Sequence, residues 1–570
     1  MNRLLPLLAL GVLTALWPGR LTAQDLATVG KTPAFRLSGS LDINVGFYEA
    51  FGNLRPRRDR FSYLLAGNVN PYLLGIDVPM SATYSQQETT FLQPFNQFGL
   101  SPHYKGLTVH AGYRNLTYSN FTLNGHTFLG AGADYVWKRQ TGLFNYRIGA
   151  MYGRLRRPVE PLEAERFGFL PAYRRMGYSV RAGVISRKRS TDYLDFVVFK
   201  ADDKIGSIEA PLRDQQVKPE ENLVLGLRGQ VMLFKQLSLT VDAATSALTR
   251  DVRAETDPDA APGLFGSLGG LYTPRVSSEY REAFTTRLQY THRKFRVGTR
   301  YQWIAPDYRT LGSYFFQNDL EELTVDAGTR VLAGKGQISA SVGLQRNNLN
   351  DQQSTSQGRF IGAFNWTHTV NSRFNYNVSL TNFSSSLLVQ QDLLSDSLNL
   401  YQISTNLSTG ANYTFGTDNR PQRLGLLLSH QIGNSRDEYF IRESITKFYN
   451  AGLNYQLTLT DWDGGVQAGL NATVNDTDLG TSTNLGPSAG VFKRFLERKV
   501  QARYVLSYLS NLQAGENLFG VITNRLSVSY QFLPKHRVRF GVSTLNKADY
   551  RDPDRSFSEL RTTAGYRINF

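Results

Sequence analysis

Cysteine is absent from the 570-residue chain. No disulfide framework, no Cys-ligated zinc and no thiol nucleophile can be built from it. Long apolar runs are missing as well. Beyond residue 23 no stretch of ~18 apolar residues occurs, so no membrane-spanning helix is expected. The phosphate-loop pattern G-x-x-x-x-G-K-[ST] and the H-E-x-x-H pattern are both absent. No linker rich in Pro or Ser divides the chain. Acidic residues are scarce relative to basic ones, 47 against 63, for a formal net charge of +16. The hydrophobic fraction is 41%, below the globular norm of roughly 45–50%. Aromatics are plentiful at 12%, with 30 Tyr and 34 Phe, which argues against a disordered polymer.

Residues 1–23 read as a secretory signal. Arg3 supplies positive charge, residues 4–16 are mostly apolar, and Leu21-Thr22-Ala23 ends in a small residue, so cleavage is expected before Gln24. Residues 24–34 then form a short periplasmic segment, and residues 35–570 the folded unit.

The dominant pattern has a period of two. Phe35, Leu37, Leu41, Ile43, Val45 and Phe47 alternate with Arg36, Ser38, Ser40, Asp42 and Asn44. Successive side chains of a strand point to opposite faces, so one face is apolar and the other polar. The pattern returns at Phe144, Tyr146, Ile148 and Ala150, at Val466, Ala468, Leu470 and Ala472, and at Val538, Phe540 and Val542. In lipid every backbone group must be paired within the protein, so a sheet there must close. Long alternating segments from end to end therefore predict an all-β fold, a single large antiparallel transmembrane β-barrel. About 25 alternating segments are countable, and such barrels usually hold an even number, so the expectation is 24–26 strands.

The last strand carries Leu560, Thr562, Ala564, Tyr566, Ile568 and Phe570 on one face. This resembles the terminal strand of Gram-negative outer-membrane proteins. The resemblance implies that Tyr566, Ile568 and Phe570 form the signal read by the barrel-insertion machinery.

Connections fall into two classes. Residues 292–294, 333–335 and 533–537 are short; residues 202–221, 251–278, 307–321 and 345–358 are long. With the C-terminus in the periplasm, the long class lies outside the cell. The phase is expected to break within residues 86–126, where only the run 104–113 alternates.

The dozen residues from Gln24 to Phe35 leave no room for a plug, periplasmic repeats or a lipopolysaccharide-carrier domain. Barrels of 16–18 strands already leave an aqueous channel, so a larger one needs a filling: inward-folded loops or a protein partner. The candidate filling segments are residues 86–126, with Phe91, Phe95, Phe98, Tyr118 and Phe121, and residues 251–278.

The polar face then lines the lumen. Its basic positions are Arg36, Arg114, Arg147, Arg181, Arg228, Arg287, Arg296, Arg300, Arg330, Arg503, Arg525, Arg539, Arg561 and Arg567; its clear acids are Asp42, Asp242 and Asp326. One charge sign in a pore sets ion preference, and Arg favours anions. The blander alternative is that these arginines pair with loop carboxylates and stiffen the wall.

Other motifs carry less. Gly486-Pro487-Ser488-Ala489-Gly490 matches G-x-S-x-G, but no helical pattern follows to make a nucleophile elbow. The seven histidines are scattered; His103, His110 and His126 share a neighbourhood, but no pair has metal-ligand spacing. Asp257-Pro258-Asp259 lacks the spaced ligands of a calcium loop. The arginines are spread singly, without a nucleic-acid stripe.

Residues 104–152, YKGLTVHAGYRNLTYSNFTLNGHTFLGAGADYVWKRQTGLFNYRIGAMY, and residues 314–324, YFFQNDLEELT, resemble recurrent blocks of large outer-membrane barrels of Bacteroidota-type bacteria. That group has no assigned activity, so the resemblance implies location and fold only. The leading expectation is a non-enzymatic outer-membrane pore or solute-binding channel with an anion-favouring lumen. No cofactor, metal or nucleic acid is expected. The alternative is the barrel of an envelope secretion or assembly machine whose lumen a partner or inward-folded loops fill. A hydrolase built on the barrel wall is the third.

Overall fold

The computed structural model describes residues 35–52, 56–86, 96–167, 170–208, 217–257, 259, 262–267, 270–314, 317–352, 358–388, 399–437, 442–478 and 480–570. The leader, the periplasmic segment, Phe91, Phe95 and Pro258 lie outside them.

The chain forms one closed antiparallel barrel of 26 strands. Each strand pairs with its neighbours in sequence, and the first, Phe35–Gly52, closes on the last, Phe557–Asn569, from Ser40↔Asn569 to Gly52↔Phe557. Phe570 joins the seam: its N–H donates to the Gly39 carbonyl at 3.1 Å, and the Gly39 N–H donates back at 3.0 Å. Closure leaves no free edge of unpaired backbone groups.

Two wall strands are interrupted. Ile76–Asp77 and Met80–Ser85 both pair with Phe61–Leu73, and are separated by Val78 and Pro79. Gln97–Leu100 and His103–Tyr104 both pair with Leu107–Thr117, and are separated by Ser101 and Pro102. Proline has no N–H to give a ladder, so each one breaks its strand. These two strands supply the hairpin that the alternation concealed. The expected break of phase within residues 86–126 is thereby corrected: every odd connection stays at one end.

At the end that holds the C-terminus, connections run from two residues, as at 74–75 and 534–535, to six, as at 138–143. At the other end they reach 28 residues at 250–277, but only between the strands of the first two thirds. Past residue 464 the connections at that end are shorter, two residues at 514–515 and seven at 550–556.

The outer face is a belt of exposed Leu, Ile, Val, Phe and Tyr. Leu41, Ile43, Val45 and Phe47 on the first strand, and Val466 and Leu470 on Gly464–Thr477, are typical. Among the described residues no helix is long and apolar enough to cross a membrane.

Two external connections turn into the barrel. Residues 118–123 and 305–312 bond to each other and to lumen-facing side chains. Tyr308 donates its hydroxyl to the Phe121 carbonyl at 2.7 Å, and Thr310 Oγ1 donates to the Thr122 carbonyl at 2.8 Å. Asp242 accepts from Ser119 Oγ at 2.5 Å and from the Asn120 N–H at 3.0 Å. Asn222 Oδ1 accepts from the Leu311 N–H at 3.0 Å. Tyr118, Phe121, Leu123, Tyr308 and Leu311 pack with Phe128, Leu155, Val197, Phe199 and Val224 in one buried cluster. The first candidate filling segment is therefore inside at Tyr118 and Phe121, whereas Phe98 is exposed.

The second candidate, residues 251–278, is overturned as a lumen filling. Register puts Leu223, Leu225, Ala247 and Tyr280 on the outer face, opposite to Asn222, Val224 and Asp242. Phe265 and Tyr272 pack on that outer group, and Lys200 Nζ donates to the Leu271 carbonyl at 2.6 Å. This loop is a flap on the outside of the wall.

Candidate functional site

The lumen wall is built by register. From Asp42 the opposite-residue pairs can be followed around the ring: Asp42↔Arg567, Arg567↔Arg537, Gly565↔Arg539, Ser529↔Arg539, Arg503↔Ser527 and Phe492↔Arg503. Directly opposed residues share a face. Continued around, the pairing places all fourteen arginines named from the sequence on the face of Asp42, away from the exposed apolar belt.

They separate into two groups. On the side filled by the inward segments they meet carboxylates. Arg147 grips Asp195 with two bonds, Arg181 reaches Asp134 at 2.5 Å, Arg287 reaches Asp326 at 2.8 Å, and Arg300 pairs with Glu322. Arg228 lies 4.0 Å from Asp242 and donates to the Tyr118 carbonyl at 3.3 Å. Lumen acids are thus more numerous than the three read from the sequence: Asp134, Asp195, Asp203, Glu322 and Glu559 join them. Above these pairs, Arg175 binds Asp203 through two bonds of 2.8 Å and Glu220 at 2.7 Å, while Arg309 of the inward segment holds Glu220 at 2.6 Å. These ions fasten the filling to the wall.

The other group lies beside the seam, in the middle and in the half nearer the short turns. Arg36, Arg503, Arg525, Arg539 and Arg567 are joined there by Arg494 and Arg537, which the sequence reading had not singled out. Arg537 falls in the short connection read at 533–537, but the strand begins at His536. Along this part of the seam strands the one lumen-facing carboxylate among the described residues is Asp42, shared by Arg539 at 3.1 Å and Arg567 at 3.7 Å. Arg503 donates to Gln467 Oε1 at 2.6 Å, and the Arg36 guanidinium stands 5.4 Å over the Tyr72 ring. Guanidinium groups stay charged at any physiological pH, so on this face positive side chains outnumber negative ones.

Of the remaining four, Arg114 donates to Ser81 Oγ at 2.7 Å and the Pro79 carbonyl at 3.3 Å. Arg561 lines a cavity of about 870 Å³ at the far end, with Arg57, Arg58 and Arg60. Arg296 and Arg330 stand near the short turns of Phe295–Ile304 and Leu320–Val331.

Between the two groups the wall carries mostly amides, with Arg423 among them. Asn375, Asn406, Asn412, Asn450, Asn454 and Asn471 share the lumen face. Some bond across strands: Asn412 Nδ2 donates to Asn375 Oδ1 at 3.3 Å, and Asn471 Nδ2 to Asn450 Oδ1 at 3.1 Å.

The weaker motifs resolve simply. Ser488 lies inside the strand Gly480–Phe495. His110 contacts Ser101 and Asp134, His103 contacts Thr108, and His126 stacks on Tyr314 at 4.0 Å. No metal-binding group of His, Cys, Asp or Glu occurs among the described residues.

No family model matches the chain, and no curated protein matches it. Solved structures do. The siderophore receptor PirA from Acinetobacter baumannii is 9% identical, with 94% of this chain and 80% of that chain covered and a TM-score of 0.41. The translocation pore of the P pilus usher PapC is 9% identical, with 93% and 100% covered and a TM-score of 0.41. The FrpB iron transporter from Neisseria meningitidis is 9% identical, with 93% and 82% covered and a TM-score of 0.42.

Proposed function

We propose that the protein is a non-enzymatic channel of a Gram-negative outer membrane that passes or binds anionic solutes. The observation that carries this is the pairing of a closed ring with a sided wall: apolar residues outside, and inside a basic patch of seven arginines facing, among the described residues, a single carboxylate. An exposed apolar belt of this extent has no favourable place in water, and a closed barrel is the one sheet that lipid tolerates. Arginines in excess of the carboxylates beside them raise the local concentration of anions and lower that of cations. Cleavage before Gln24 and insertion through Tyr566, Ile568 and Phe570 would bring it there.

Reversal potentials in a potassium chloride gradient across a planar bilayer test the reading. Chloride preference is expected of the purified protein. Preference for potassium would reject it.

A second reading is favoured by the inward segments. Their hydrogen bonds and buried rings make a fitted filling, as a gated envelope machine would need. A partner that stays bound through purification in mild detergent from native membranes would support this reading.

A further inference from the structure

One concavity of the lumen wall is more specific than a charged surface. It lies at the border between the basic patch and the amide wall and has a volume of about 550 Å³. That is within the range of small-molecule sites, roughly 300–1,000 Å³. Gln456, Gln467 and Gln501 line it together with Phe492, Arg494 and Arg503.

Glycines open the space. Gly465 sits opposite Phe492 in the ladder, and a Cβ there would lie 2.7 Å from the ring Cζ, so the ring rests against bare backbone. Gly490 sits opposite Gln467, and a Cβ there would lie 2.9 Å from Gln467 Nε2. The polar atoms are only partly used. Gln467 Oε1 accepts from Arg503, which leaves the Gln467 amide N–H groups to donate outward. Gln456 has one long bond, 3.5 Å from its Nε2 to Thr458 Oγ1. No carboxylate lies within salt-bridge reach of Arg494 or Arg503 among the described residues.

Each part selects a ligand feature. Amides offer a donor and an acceptor side by side, which suits adjacent hydroxyls. A phenyl face suits a flat patch of C–H groups. A free guanidinium takes a carboxylate or phosphate through two parallel bonds. A simple inorganic anion needs only the third. We infer that this concavity binds an acidic saccharide, a sugar ring carrying a carboxylate or phosphate. The site deepens the anion-channel reading and rests on it; the amide wall beside it continues the same hydroxyl-matching chemistry.

Calorimetry on the detergent-solubilised full chain separates the features with three probes. Trigalacturonate carries rings and acid groups, a neutral galactose trisaccharide carries rings alone, and tricarballylate carries acid groups alone. Trigalacturonate is expected to bind at least about tenfold more tightly than either of the others, the loss expected when one set of hydrogen bonds goes unmade. Phe492→Leu and Arg503→Gln should each weaken it by about tenfold, with barrel closure checked by heat-dependent gel migration. Equal binding of tricarballylate, or no binding of trigalacturonate, overturns the inference. A chloride-selective bilayer current alongside either result would leave the channel reading standing. Potassium selectivity would remove the channel reading whatever the calorimetry gives.

Discussion

Tyr308 shows how single residues hold the filling in place. Its side chain is fully buried, and its hydroxyl donates to the Phe121 carbonyl at 2.7 Å. Burial, with the nearby Asp242 carboxylate, pushes this hydroxyl well above its ordinary value of 10.0. A group whose folded pKa is raised contributes stability that is complete below the unfolded value and lost as pH rises through the folded one. The inward segments should therefore loosen in strong alkali, with bilayer conductance climbing above pH ~10. Tyr308→Phe removes the hydrogen bond, at a cost of about 1 kcal/mol. It should leak more at neutral pH and show a smaller alkaline rise. Equal rises in both proteins would take Tyr308 out of the latch. At this scale alternation assigns a face to each arginine but says nothing of its partner. Arg147 and Asp195 lie 48 residues apart, and Arg181 and Asp134 47 apart, and only the pairing of strands brings them together.

Among the elements, alternation fails where the lumen is filled. The runs Phe196-Val197-Val198-Phe199 and Leu223-Val224-Leu225 are apolar on both faces. Val197, Phe199 and Val224 meet the inward segments, while Leu223 and Leu225 meet the outer flap. A strand apolar on both sides must be covered on both sides, so this loss of period was the readable trace of filling and flap alike. The short strands around Pro79 and Pro102 were hidden for another reason: neither interrupted piece is long enough to show a period. The flap gives its own test. Thr249 Oγ1 lies 2.7 Å from the Tyr272 hydroxyl, and the Phe265 and Tyr280 ring centroids are 5.4 Å apart. Replacing both Phe265 and Tyr272 by Ala deletes this packing, which Phe→Ala changes in cores price at roughly 3–5 kcal/mol. Trypsin should then cut at Arg250, Arg253 or Arg275 in intact proteoliposomes much faster than in the unaltered protein. Unchanged cutting would mean that the flap is held by its polar contacts, among them Lys200 Nζ with the Leu271 carbonyl at 2.6 Å.

For the whole molecule, 26 strands spaced ~4.8 Å apart and tilted by ~40° make a ring about 50 Å across if circular. An opening of that width must be partly occupied if the membrane is to stay a barrier. The filling covers the side where arginines are neutralised and leaves the basic patch and the amide wall as lining. Closure and strand number follow from the alternating pattern, since register, face and ring are one geometric statement. The sidedness of loops followed only in part, because past residue 464 the far-end connections shrink to seven residues or fewer.

The lack of cysteine makes the central claim directly testable: introduced thiols would be the only ones present. Four single variants on Gly464–Thr477 suffice, Leu470→Cys, Asn471→Cys, Ala472→Cys and Thr473→Cys, each in proteoliposomes and exposed to a charged, membrane-impermeant maleimide. Asn471 and Thr473 share the face of Gln467, while Leu470 and Ala472 share that of Val466. The account predicts fast labelling at positions 471 and 473 and protection by lipid at 470 and 472. Labelling at all four positions, or at 470 and 472 alone, would contradict it.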